Sequence, residues 1–66
     1  MIIYKQKLEL HLADRLETLA EFSARSGVSQ NTLHRAMRGE DISRLTVGKI
    51  ARSMKVDPCE IVKGVA

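Results

Sequence analysis

The chain has 66 residues, 44% hydrophobic and 29% charged, with one Pro, four Gly, one Cys and a formal net charge of +3. This length supports one domain, a lone cysteine excludes an intramolecular disulfide framework, and no apolar run nears the roughly 18 residues of a membrane span. The N-terminus lacks the pattern of an export signal, which predicts a cytoplasmic protein, and so small a core leaves little room for the deep, dry pocket of an enzyme.

Residues 1–6 are apolar, then polar, without a cap signal, and predict at most a short extended segment. Leu8, Leu10 and Leu12 alternate with Glu9 and His11 at the strand period, whereas Leu8, Leu12 and Leu16 recur at the helical i, i+4, i+8 spacing. The abundance of Leu, Glu, Lys and Ala favours the helix, over about residues 7–15. Thr18 followed three residues later by Glu21 is a capping box, in which each side chain satisfies an amide at the helix start. It predicts a second helix over residues 19–26, with Leu19, Phe22 and Ser23 inward and Gly27 supplying the positive φ of a tight exit.

Ser29 caps a third helix over residues 30–38, with Leu33 and Met37 inward and Gly39 just past its end. Two short helices separated by about three residues cannot lie side by side; they cross steeply, as in a helix-turn-helix. A fourth helix reaches Met54 or Lys55 with Val47, Ile50, Ala51 and Met54 inward. Either Ser43 or Thr46 caps it, and with Thr46 the pair Leu45 and Ile50 would form a hydrophobic staple. Asp57, Pro58 and Glu60 form another start signal. They predict a fifth short helix with Ile61 and Val62 apolar and Gly64 at its end. The fold class read from this pattern is all-α, with five short helices.

Charge is uneven along the chain. Residues 1–24 carry three basic and four acidic groups, and residues 39–66 carry five and four. Residues 25–38 hold Arg25, Arg35 and Arg38 and no acid. Such a stretch is either a solvated helix face or a phosphate-facing surface, where an acid would repel the ligand.

The segment TLAEFSARSGVSQNTLHRAMRGE is similar to the helix-turn-helix of phage lambda-repressor and Cro-type regulators. The continuation LTVGKIARSMKVDPCEIV resembles that family's last two helices. The steric pattern agrees: Ser23 and Ala36 are small where the helices press together, Gly27 lies in the turn, and Val28 and Leu33 plug the core. Four positions depart from the family pattern. Leu19 stands where Gln is frequent, Ser23 where Ala is frequent, and Glu40 and Asp41 make the following loop acidic.

The resemblance implies a single lambda-repressor-like domain over residues 1–66, with the helix-turn-helix at about 18–38. Its implied function is that of a sequence-specific double-stranded DNA-binding transcriptional regulator, a repressor of bacterial or phage origin. The third helix would enter the major groove, in the docking described for lambda repressor and Cro. The resemblance puts base readers at Gln30, Asn31 and Arg35. Gln or Asn suits the adenine edge, and the Arg fork suits guanine. Ser29, Thr32 and Arg38 are expected on phosphates, as are Thr18 and Leu19 at the start of the second helix and Ser43 and Arg44 after the third.

The resemblance also implies a homodimer on a palindromic operator, with half-sites about 34 Å apart. Ile2, Ile3 and Tyr4, or Val62 and Val65, are the apolar candidates for its interface. No cofactor, metal or small-molecule ligand is expected: His11 and His34 are far apart, there is one Cys, and the sequence shows no cluster of acids with them. Cys59 itself reads as a partly buried small residue rather than a thiol activated at a helix start. A protein-interaction module on the same fold, such as an antitoxin or an accessory regulator subunit, is the alternative reading, and the acidic loop suits it.

Overall fold

Local capping and apolar spacing decide most of the architecture. The computed structural model describes residues 1–64. It contains α1 (Lys5–Arg15), α2 (Leu19–Ser26), α3 (Gln30–Met37) and α4 (Arg44–Met54), followed by a 3-10 turn at Pro58–Glu60. The Thr18 hydroxyl accepts from the Glu21 amide at 3.1 Å and the Glu21 carboxylate accepts from the Thr18 amide at 2.8 Å, so the capping box of α2 is complete. Gly27 ends α2 at φ 77°, and Gly39 leaves α3 at φ 83°. Both are left-handed conformations that a side chain would strain.

Of the two candidate caps for α4, Ser43 is the one used: its hydroxyl accepts from the Thr46 amide at 3.2 Å. Leu45 is consequently inside the helix and 76% exposed, and the staple with Ile50 does not form. In α1 the helix unwinds at Leu16, which adopts φ 53° and is 92% exposed. The i, i+4, i+8 stripe therefore stops at Leu12, with Leu8 buried and Leu12 half-buried.

The fifth helix is cut to one 3-10 turn. Its capping box forms between Asp57 and Glu60, but Val62 is drawn into an isolated antiparallel bridge with Ile3. The Tyr4 amide donates to the Ile61 carbonyl at 2.7 Å and the Lys63 amide to the Ile2 carbonyl at 2.8 Å. Extended backbone at Val62 is incompatible with continuing the helix, and both Ile61 and Val62 reach the core this way. Ile3 and Val62 are thus core residues, which removes them as candidates for a dimer interface; Val65 lies outside the described residues. Ile2 and Tyr4, on the other face of the same extended segment, are exposed.

The core joins all four α-helices and both terminal segments: Ile3, Leu8, Phe22, Leu33, Val47, Ile50 and Ile61 are its largest buried side chains. Fully burying a side chain of this size contributes about 1.5–3 kcal/mol. The turn between α2 and α3 is fastened by two serines. The Ser23 hydroxyl donates to the Val28 carbonyl at 2.6 Å, and the Ser26 hydroxyl accepts from the Val28 amide at 3.2 Å. The departure from Ala at position 23 thus adds a turn-locking hydrogen bond without adding bulk.

Candidate nucleic-acid interface

The orientation of α3 follows from its apolar residues. Leu33 and Ala36 are buried and Met37 packs against the core, so Gln30, Asn31, His34, Arg35 and Arg38 face outward. The predicted base readers Gln30, Asn31 and Arg35 therefore share one exposed side of one helix. Ser29 and Thr32 are tied to each other. The Ser29 oxygen accepts from the Thr32 amide at 3.2 Å, and its hydroxyl donates to Thr32 Oγ1 at 2.9 Å. That leaves the Thr32 hydroxyl proton as the free donor of the pair.

The α3 stretch is free of acid in sequence but not in space. Glu40, brought back by the Gly39 turn, accepts from Arg35 Nε at 3.1 Å on one oxygen and from Arg38 Nε at 2.9 Å on the other. Arg38 Nη2 also approaches that second oxygen, at 2.8 Å. The hydrogen bonds from Arg38 and Arg35 hold the Glu40 carboxyl below the usual carboxylate range. Arg35 gives up only Nε, so the Nη end of its guanidinium stays open for a bidentate acceptor.

Arg25, the third cation of that stretch, points elsewhere. It donates to Glu17 at 2.8 and 3.0 Å, to the Ser53 carbonyl at 2.6 Å, and lies 5.0 Å from the centre of the Phe22 ring. It bolts α2 to the α1–α2 loop and to the end of α4, a structural role its sequence neighbours do not reveal. The bond from Arg25 lowers the Glu17 pKa, while burial, with Arg25 and Arg15 nearby, lowers that of His11. His11 packs edge-on against Phe22, with centroids 5.9 Å apart.

The expected phosphate contacts are divided among three places. Leu19 and Arg38 line one surface groove between α1, α2 and α3, together with His34, Met37 and Lys5. Thr18 spends its oxygen on the α2 cap, while the first-turn amides of α2 have no intrahelical acceptor, as at any helix start. Ser43 is likewise occupied as the cap of α4, where it also donates to Thr46 Oγ1 at 3.0 Å. Arg44 is exposed and lines a separate groove on α4. Cys59 is exposed rather than partly buried, and the Asp57 carboxylate beside it raises its pKa instead of activating it.

A helix-turn-helix family model matches residues 13–61, which covers α2, α3 and α4 entirely. The chain belongs to the lambda-repressor/Cro-type helix-turn-helix family. No curated protein and no solved structure matches it significantly. Members of this family are DNA-binding regulators, and the helix-turn-helix protein described here carries the two helices of that motif as α2 and α3. Among its described residues no helix is long and apolar enough to cross a membrane, and no three His, Cys, Asp or Glu side chains gather as a metal site requires.

Proposed function

We propose that the protein is a cytoplasmic, sequence-specific transcriptional repressor of bacterial or phage origin that acts by occupying an operator. Its single domain spans residues 1–66, with the helix-turn-helix at 18–38. The observation that carries this reading is α3 itself: Leu33 and Ala36 anchor one side in the core, and Gln30, Asn31 and Arg35 project from the other. In the major groove Gln30 and Asn31 read adenine edges and Arg35 forks onto guanine, each good bidentate pair supplying about 1–3 kcal/mol of discrimination. Thr18, Leu19, Ser29, Thr32, Arg38, Ser43 and Arg44 hold phosphates through hydroxyls, amides and guanidinium groups. Two copies bind a palindromic site, meeting through the exposed Ile2 and Tyr4.

The test is selection of bound duplexes from a random pool, followed by mobility shifts of the selected site against salt. The wild-type protein should enrich a palindrome, and log K should fall by about 0.9 per phosphate neutralised for each tenfold rise in salt. Arg35→Ala should cost about 1–3 kcal/mol on that site and relax the preference at one base pair. Equal weakening on all sequences would make Arg35 a phosphate contact. The grip of Glu40 on both α3 arginines favours a second reading, a protein-interaction module on the same fold. No enrichment, with a flat salt response, would select that reading.

A further inference from the structure

The cations of this chain fall into two groups. Lys5, Arg15, Arg25, Arg35 and Arg38 each pair with a carboxylate, Lys7 donates to the Glu60 carbonyl, and Lys63 lies over the Tyr4 ring. Arg44, Lys49, Arg52 and Lys55 have no ion-pair or side-chain hydrogen-bond partner among the described residues, and residues 43–56 contain no acid. All four belong to α4 and its C-cap, and Val47, Ile50, Ala51 and Met54 take the opposite, buried side.

Four features of this face serve neither the charge balance nor the packing of α4. Lys49 and Arg52, three residues apart, repel each other, and Arg44 sits at the positive end of the helix dipole. Leu45 stands 76% exposed among the cations. Gly48 lies mid-helix without a positive φ, and a Cβ there would meet nothing within 4 Å, so neither backbone nor packing demands a glycine. The outcome is a groove of about 280 Å³ lined by Arg44, Leu45, Gly48, Lys49 and Arg52. None of its lining residues comes from α3.

We propose that this face of α4 docks an acidic segment of another protein, which seats an apolar side chain in the Gly48 notch against Leu45 while its carboxylates meet Lys49, Arg52 and Lys55. A phosphate backbone would use the cations but not the leucine or the notch. A second copy of this chain offers a poor complement. Glu9, Glu17, Glu40 and Asp41 are paired with cations and Glu21, Asp57 and Glu60 are engaged in caps, which leaves Asp14 as a single uncommitted carboxylate against three cations. The inference stands on α4 alone and does not depend on α3 reading DNA.

The experiment is fluorescence anisotropy of the full chain with a labelled peptide of Glu and Leu at helical spacing, about five turns long so that a helix can form. The same peptide with Ser in place of Leu and a random-sequence duplex serve as controls. The Glu–Leu peptide should bind, more weakly as salt rises. The double variant Lys49→Glu, Arg52→Glu should weaken it about tenfold, by replacing attraction with repulsion. Gly48→Leu should fill the notch and weaken the peptide while the melting temperature stays level or rises, which separates docking from folding. Absence of binding, or equal binding of the Ser peptide, would overturn the proposal. So would a loss of duplex affinity in the double variant at least as large as the loss of peptide affinity, which would make the face a nucleic-acid contact.

Discussion

Replacing Glu40 by Gln separates the two things this carboxylate does to α3. One oxygen holds Arg35 by Nε and the other holds Arg38, so the charge of two arginines on the reading helix is partly cancelled before DNA arrives. Glu40→Gln removes one negative charge and frees both guanidinium groups. The upper limit of the effect is two more phosphate contacts. Between about 50 and 200 mM salt each contact is worth roughly 3.5-fold in affinity, and two about 12-fold, because log K falls by about 0.9 per contact per decade of salt. Random-sequence duplex should therefore bind more tightly at low salt, with a slope steeper by about 0.9–1.8.

Discrimination should move the other way. Arg35 loses the acceptor that orients its Nη end, so the preference at its base pair should fall, though by less than in Arg35→Ala. Mobility shifts of a selected site and of random duplex, each across salt, measure both quantities. Protonating the carboxylate should mimic the variant only at strongly acidic pH, since Arg38 and Arg35 hold its pKa down. An unchanged salt slope together with an unchanged ratio of specific to random binding would show that Glu40 does not engage the arginines in solution.

Two further tests address the scaffold. Leu33 is 0% exposed, so Leu33→Ala should cost about 2–5 kcal/mol, against roughly 3–10 kcal/mol of total stability for a chain this short. At about 4–8 °C per kcal/mol the loss should be plain in a circular-dichroism melt, and a native melting curve would mean that α3 is rotated away from the core. The second test is acid titration of the melting temperature. His11 and Glu17 both bind protons more weakly in the folded chain than in the unfolded one. Their stabilisation is complete above the ordinary pKa of each and is lost as pH falls through the folded value, first for the imidazole and then for the carboxylate. Stability should decline below about pH 6.5, the ordinary imidazole value, and His11→Gln should flatten that first limb. A melting temperature that rises from neutral to mildly acidic pH would contradict the sign.

Features decided within one turn of chain were legible in the sequence. Thr18 with Glu21, Ser29 with Thr32, and Gly27 and Gly39 at the exits all act over three or four residues, and the structure realises each of them. The fifth helix is present but stops after one 3-10 turn because a distant partner overrides the local signal: Asp57 and Glu60 start the turn, and Ile3 claims Val62. The end of the first helix at Arg15 agrees with the sequence, whereas the i, i+4, i+8 spacing does not reveal that Leu16, just past it, points away from the core. At the candidate site, the outward set Gln30, Asn31 and Arg35 follows from the inward set Leu33 and Ala36. The binding of Arg35 and Arg38 to Glu40 does not, because it depends on the direction the chain takes after Gly39. The α4 cations are less legible, because Glu40, Asp41, Asp57 and Glu60 flank the acid-free residues 43–56 and cancel the charge of Arg44, Lys49, Arg52 and Lys55 over any longer stretch.

The pairing of Ile3 with Val62 also bears on the order in which the domain closes. The segments that form α2, α3 and α4 are contiguous, so their packing closes only short loops. Ile3 must instead meet a residue on the far side of all of them, and closing so long a loop costs more chain entropy than any contact within the helix-turn-helix. Until that contact forms, the side of the core that Ile3 and Val62 cover faces water. The two-residue bridge is thus the clasp of the fold, the contact that shuts the core rather than the one that starts it.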